Sequence, residues 1–168
     1  RRGALMISMD IRHPDVENFV IMKNDLTKVT GANVSVKISD EFMTAVENDD
    51  DFTLRFPVDS EEPSITKTIK AKELWGKIVN SATKTAEPGL LMWYNIIKNL
   101  PAQEYEDFKT ECVNPCAELP LSAYDSCRLI SINLKNFVKS PFTKRAKFAL
   151  VRFNKAVSAA LRCFDELM

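Results

Sequence analysis

The sequence lacks the features that mark several large classes of protein. Its 23 basic and 23 acidic residues cancel to a net charge of zero, so it shows none of the basic excess that phosphate-binding nucleic-acid proteins use. No apolar run approaches the roughly 20 residues of a membrane-spanning helix, and no signal segment opens the chain. We therefore expect no nucleic-acid partner, no membrane association and a cytoplasmic location.

Cysteine is sparse and irregularly spaced. Four cysteines occur in 168 residues, a pattern that disfavours a secreted disulfide scaffold. A zinc site would want paired Cys-x-x-Cys ligands or cysteine with histidine. The spacings from Cys112 to Cys116 and on to Cys127 are four and eleven residues, and the only histidine, His13, is distant in sequence. We expect reduced thiols and no metal site.

Predicted strands alternate with predicted helices along the chain. Three of the strands are short apolar runs, which is typical of strands buried on both sides in an α/β protein with a helix-covered sheet. A fourth alternates apolar and polar residues, which predicts one buried face. The predicted strands span residues 4–9, 33–38, 52–56, 65–70, 90–93 and 129–134, and the last predicted helix spans residues 147–168.

Both ends of the sequence resemble cuts in a longer protein. Residue 1 is arginine rather than methionine, and Met168 ends the chain inside a helical pattern without a capping glycine or proline. We interpret the chain as an internal segment.

A long stretch without a helical or strand pattern, residues 100–124, contains two of the four cysteines and ends just before a third. Such stretches tend to be functional in compact domains. The proline after Asn114 biases that residue toward extended geometry. If the extension continues, Asn114, Cys116 and Glu118 share one face at spacings of roughly 7 Å. An amide, a thiol and a carboxylate would then converge, and Cys127 could return as a reductant.

The amino-acid sequence of this stretch resembles that of the catalytic subunit of ribonucleotide reductases. Matching segments occur along essentially the whole chain and in the same order. A further set of segments is most similar to the sequences of the adenosylcobalamin-dependent branch, class II. The first set reads RRGA (1–4), HPD (13–15), TGANVSV (30–36), DEFM (40–43), EPG (87–89), NPCAE (114–118), PL (120–121), SC (126–127) and SINL (131–134); the second reads SAYDSCRL (122–129) and SPFTK (140–144).

The resemblance implies a ten-stranded α/β barrel with residues 1–168 as one segment of it, incomplete at both ends. Residues 110–127 would be the finger loop at its centre. Cys116 would become the thiyl radical that abstracts the 3′-hydrogen of the substrate, and Glu118 would be the base for the 3′-hydroxyl. Asn114 would bind substrate and hold Glu118, and Cys127 would be one of two reducing cysteines. A barrel interior shields a radical, and a dithiol supplies two electrons.

The same resemblance implies the partners. The substrate would be a ribonucleoside di- or triphosphate, the effectors dNTP or ATP, and the reductant of thioredoxin or glutaredoxin type. Arg1, Arg2, Gly3 and Ala4 match the loop that links the effector site to the substrate base, so their role would be specificity. Adenosylcobalamin is the expected cofactor. The alternative is no cofactor in this subunit, with a di-iron or manganese radical subunit as partner.

Two readings outside this family stay open. The chain could be a non-catalytic α/β binding module with structural or zinc-binding cysteines. A cysteine hydrolase would instead pair Cys116 with His13, although His13 precedes a proline at a helix start, where a surface or capping role is more common.

The segment should not turn over by itself. The partner of Cys127, the substrate phosphate loop and the shuttle cysteines of the family match nothing in residues 1–168, so we expect activity only with the remaining polypeptide or complementing fragments. Incubating the isolated chain with a ribonucleotide and a radical source checks this, and formation of deoxynucleotide would refute it.

Overall fold

The structure, a computed structural model, describes residues 3–166 and divides after Ser126 into two compact units. The first unit contains most of the regular structure. Its elements in chain order are β1 (Leu5–Asp10), α1 (Val16–Ile21), β2 (Ala32–Ile38), α2 (Asp40–Asn48), β3 (Asp51–Phe56), β4 (Ile65–Lys70), α3 (Ala71–Thr85), β5 (Gly89–Met92), α4 (Trp93–Asn99), β6 (Thr110–Val113) and β7 (Pro120–Ser122).

A parallel sheet of order β1-β2-β5 organises the first unit. Val34, Val36 and Ile38 of the central strand β2 are buried in the hydrophobic core that α1, α2 and α3 cover. Ser35, on the opposite face of β2, is also buried. The apolar face predicted to be buried is therefore confirmed, and the polar face is covered only in part, since Asn33 is exposed.

The two outer strands are less buried than their apolar sequences predicted. Leu5 of β1 is 55% exposed, and in β5 only Leu91 is buried. Each has one parallel neighbour in the described part of the chain, so each is an edge strand. The α/β class is confirmed. Within residues 3–166 the sheet does not close on itself, and the ten-stranded barrel stays a prediction.

Helix α2 shows how local signals determine an element. The hydroxyl of Ser39 accepts a hydrogen bond from the backbone N–H of Phe42 at 3.2 Å, as expected of an N-cap serine. Asp49 ends the helix in the left-handed conformation with φ 61°. Phe42 is fully buried and packs edge-to-face on Phe52 of β3, with ring centroids 5.1 Å apart. The helix is thereby joined to the core.

The strands predicted at residues 52–56 and 65–70 are confirmed as β3 and β4, which pair in an antiparallel hairpin with Asp51 opposite Lys70 and Phe56 opposite Ile65. An ionic contact joins this hairpin to the helical layer. Glu17 of α1 accepts hydrogen bonds from Lys67 of β4 and Lys77 of α3. These bonds, the one from Lys67 first, lower the pKa of the Glu17 carboxyl.

The second unit is smaller and contains β8 (Val138–Lys139), β9 (Lys147–Phe148) and α5 (Leu150–Glu166). Helix α5 begins later than predicted because Lys147 and Phe148 pair with β8 instead. Phe153 of α5 packs against Phe137, with centroids 5.4 Å apart. Cys163, on the same helix, is exposed.

The strand predicted at residues 129–134 is wrong. No strand is assigned there, and a 3-10 turn begins at Leu134. Leu129 is 83% exposed, and the strand pairing described in this unit is that of β8 with β9. An apolar run needs a hydrogen-bonding neighbour to become a strand. Across residues 3–166, no helix has the length and apolar character that crossing a bilayer requires.

The core predicts a sharp difference between two identical substitutions. Leu54 is fully buried in the hydrophobic core, whereas Leu26 is 76% exposed. In the complete protein, Leu54→Ala should lower the free energy of unfolding by about 2–5 kcal/mol. Leu26→Ala should change it by less than about 0.5 kcal/mol. Denaturant titration measures both, and equal effects would contradict the described core.

Candidate functional site

Residues 110–122 form an antiparallel hairpin of β6 and β7, here called the cysteine hairpin. Its tip is a turn in which the N–H of Ala117 donates to the carbonyl of Asn114 at 2.9 Å, and Ala117 has φ 68°. The predicted extended geometry from Asn114 through Glu118 is therefore wrong. Proline after Asn114 is equally suited to the second position of a turn, and the turn prevails here.

Asn114 is the base of this turn and is only 3% exposed. Its backbone N–H donates to the carbonyl of Leu119 at 3.0 Å. Its side-chain oxygen accepts the N–H of Leu119 at 2.9 Å. The backbone N–H and the side-chain oxygen of Asn114 thus both bond to Leu119 and close the loop. This geometry gives Asn114 the role of holding the tip together.

Cys116 and Glu118 are both exposed and both lie within the loop that Asn114 closes. The thiol and the carboxylate are therefore presented by one short, hydrogen-bonded loop rather than by one face of an extended strand. The structure confines both predicted reactive groups to the tip of the cysteine hairpin.

Two side chains of β2 contact the cysteine hairpin. The amide nitrogen of Asn33 donates to the carbonyl of Pro115 at 2.7 Å, and Nζ of Lys37 donates to the carbonyl of Glu111 at 2.7 Å. Nζ of Lys37 also lies 3.7 Å from the ring centroid of Trp93. Burial lowers the pKa of the Lys37 ammonium. The cysteine hairpin therefore lies along the face of β2 opposite the core.

The amino-terminal half of β2, which carries Asn33, is supported by a second network. Lys23 donates to the carbonyl of Ala32 at 2.6 Å and pairs with Glu87, whose other carboxylate oxygen accepts the N–H of Val34 at 3.1 Å. A Cβ at Gly89 would lie 2.6 Å from Oγ of Ser35, so glycine permits the close approach of β5. These contacts account structurally for the EPG segment at 87–89.

A cavity of about 660 Å³ lies at the carboxyl ends of β1 and β2. Asp10, Lys37 and Trp93 are among its lining residues. Arg12, which also lines it, makes a two-point contact with Asp10, at 2.9 and 2.8 Å. None of the described residues that the sequence singled out as reactive lines this cavity. Lys37 lines the cavity and also binds the cysteine hairpin, so the two features adjoin at this residue.

The remaining predicted site residues are placed as follows. Cys127 is half-buried and begins the second unit, so its return to Cys116 stays a prediction. Gly3 and Ala4 are exposed and directly precede β1, whereas Arg1 and Arg2 lie outside the described residues. Among residues 3–166 there is no disulfide and no group of three His, Cys, Asp or Glu residues that could hold a metal ion.

Asn33 and Lys37 contact the cysteine hairpin, a role that the sequence did not predict for them. The polar–apolar alternation of residues 33–38 placed them on the polar face of a strand, which was a usable signal. It did not reveal their partners, because these lie 82 and 74 residues away in sequence.

The turn predicts a selective effect of changing Asn114. Asn114→Ala removes the acceptor for the N–H of Leu119 and should destabilise the loop by about 1–3 kcal/mol. Asn114→Asp keeps an oxygen acceptor at the same length and should largely preserve it. Amide hydrogen exchange of Leu119 in the complete protein measures the difference. Equal exchange in both variants and the parent would contradict this account of the turn.

Comparison with known proteins agrees with the family resemblance of the sequence segments. A family model described as "Ribonucleotide reductase, barrel domain" matches residues 1–168. A "Vitamin B12-dependent ribonucleoside-diphosphate reductase" of Thermoplasma acidophilum is 37% identical over 100% of this chain and 21% of the relative. A protein of the same name from Mycobacterium tuberculosis is 31% identical over 100% of this chain and 23% of the relative.

A "Vitamin B12-dependent ribonucleotide reductase" of Streptomyces clavuligerus is 31% identical over 98% of this chain and 19% of the relative. The chain thus spans about a fifth of the length of these curated relatives. The family model covers the described hairpin, the parallel sheet and the second unit alike. The chain belongs to the ribonucleotide reductase barrel-domain family.

Proposed function

We propose that this chain is the part of a ribonucleotide reductase that presents the reactive thiol to the ribose. The observation that carries the proposal is the tip of the cysteine hairpin, where Cys116 and Glu118 are exposed on a loop closed by the buried Asn114. The family match along the whole chain supplies the reaction class.

In the proposed reaction, Cys116 as a thiyl radical takes the 3′-hydrogen of the ribonucleotide and becomes a thiol, which leaves a carbon radical at C3′. Glu118 accepts the proton of the 3′-hydroxyl and later returns it to the 3′-oxygen. The 2′-hydroxyl takes a proton and leaves as water. Cys127 and a second cysteine supply the two electrons and two protons, of which one proton leaves in the water and one hydrogen is gained at C2′, and they become a disulfide. Cys116 then returns its hydrogen atom to C3′ and is again a thiyl radical. Asn114 holds the loop that carries the first two groups.

The partners follow from this reaction class. We propose a ribonucleoside di- or triphosphate as substrate, dNTP or ATP as effector and a thioredoxin- or glutaredoxin-type reductant for the disulfide. The names of two relatives specify ribonucleoside diphosphates. Arg1, Arg2, Gly3 and Ala4 are proposed to belong to the specificity loop, and the exposure of Gly3 and Ala4 leaves them accessible.

Adenosylcobalamin is the proposed cofactor of the complete protein, because the relatives are named vitamin B12-dependent. The described residues do not by themselves fit it. His13, the only imidazole in the sequence, accepts the N–H of Asp15 and packs on Phe56 with ring centroids 5.4 Å apart. No step above is assigned to the cofactor.

The ten-stranded barrel, with residues 110–127 as its finger, is proposed for the complete protein. The edges of β1 and β5 support it, because an edge strand presents unpaired N–H and C=O groups to which a further strand can add. The polar face of β2, which carries the cysteine hairpin, would then face the barrel interior.

Cys116 provides the decisive test. In the complete protein, Cys116→Ser should abolish formation of deoxynucleotide while leaving the thermal unfolding midpoint unchanged, because an exposed sulfur is replaced by an oxygen of similar size. Cys163→Ser, at an exposed position on α5, is the matched control and should retain parental turnover.

Radiolabelled ribonucleotide reduction measures turnover in both variants. Turnover retained in Cys116→Ser would overturn the proposal and favour a binding module, in which the change affects only stability or metal content.

A further inference from the structure

The cysteine hairpin contacts β2 through two side chains of matched spacing. Asn33 and Lys37 lie on the same face of β2, four residues apart, which corresponds to about 13 Å along a strand. The carbonyls that they bind, those of Pro115 and Glu111, are also four residues apart. Because the order is reversed, the segment from residue 111 to residue 115 runs antiparallel to β2 on its face.

Matched spacing means that the two hydrogen bonds determine one register. Sliding the cysteine hairpin by a single residue along β2 would move each carbonyl by about 3.3 Å and break both bonds together. Each bond joins a side chain to a backbone carbonyl, so the register does not depend on which side chains the hairpin carries. The depth of the hairpin tip along β2 is thereby determined.

The hydrogen bond from Asn33 is made directly before Cys116, the proposed reactive residue. The carbonyl of Pro115 belongs to the same planar peptide unit as the backbone nitrogen of Cys116. Holding that carbonyl orients the plane from which the Cα–Cβ bond of Cys116 departs. Asn33 itself is exposed and is not part of the hydrophobic core, so its amide can be changed without opening the core.

We propose that Asn33 is a positioning residue for Cys116, setting the depth and direction of its thiol through the carbonyl of Pro115, with Lys37 as the second anchor of the register. This inference rests on the proposed function of Cys116. A displacement of about 1 Å at a reacting group can cost about 10²-fold in rate. Loss of the Asn33 amide donor should therefore lower kcat by about 10²-fold and leave KM for the ribonucleotide within about twofold, since the argument gives Asn33 no contact with substrate.

The experiment uses the complete protein with three variants and one matched control. Asn33→Ala removes the donor at every pH. Asn33→Asp keeps the size and replaces the donor by a carboxylate, which regains an O–H donor only when protonated. Asn33→Val, which also lacks a side-chain donor, repeats the test if Asn33→Ala does not fold. The control is Asn99→Asp on α4, whose amide likewise donates to a backbone carbonyl, that of Asn95 at 2.8 Å.

The readout is kcat of each variant divided by kcat of the parent between about pH 5 and pH 8. For Asn33→Asp this ratio should rise as pH falls toward a carboxyl pKa of about 3.9, by up to about tenfold per pH unit. For Asn33→Ala the ratio should be low and flat, and for Asn99→Asp it should be near one and flat. A role only in stability would not produce the pH dependence.

Parental kcat in Asn33→Ala, or a flat low ratio in Asn33→Asp, would overturn the inference. If Cys116→Ser is inactive while the Asn33 variants are fully active, the positioning role fails and the proposed function stands. If Cys116→Ser itself is active, the proposed function fails as well.

Discussion

Strand β2 packs in the hydrophobic core with one face and contacts the cysteine hairpin with the other. The rest of the first unit is arranged around that constraint. Its valines and isoleucine are buried against α1, α2 and α3. Its opposite face carries Asn33, Ser35 and Lys37, which meet the cysteine hairpin and the neighbouring strand β5. One strand therefore connects the hydrophobic core, which supplies rigidity, to the loop that presents a thiol and a carboxylate.

This arrangement explains how the exposed tip of the cysteine hairpin is held in one position by hydrogen bonds. The closing bonds within the loop come from Asn114, and the bonds to the sheet come from side chains of β2. β2 is in turn tied at its amino-terminal half by Lys23 and Glu87. Each bond is modest by itself, about 0.5–1.5 kcal/mol net. Together they connect the Cys116 loop to a strand that is itself buried in the core.

The sequence predicted features governed by local chemistry and failed where distant contacts decide. The strands predicted at residues 52–56 and 65–70 pair with each other, close in sequence, and both were correct. The strand predicted at residues 129–134 failed because no neighbour pairs with it in its unit, and the burial expected of β1 and β5 failed because each is an edge strand.

The candidate site shows the same division. The sequence predicted Cys116 and Glu118 as a reactive pair, and that role stays a prediction. Their predicted geometry was wrong, since proline after Asn114 suits either an extended segment or a turn. The contact of Asn33 with Pro115 spans 82 residues, so the sequence carries no direct sign of it.

The central claim is that the thiol of Cys116 is the reactive group that the cysteine hairpin presents. The most direct measurement is alkylation of the complete protein with limiting iodoacetamide, with modification at each cysteine quantified by mass spectrometry alongside the remaining turnover. The account predicts that activity falls in proportion to Cys116 modification and that the ribonucleotide substrate slows labelling of Cys116 but not of Cys163. Full turnover with Cys116 completely alkylated would contradict it.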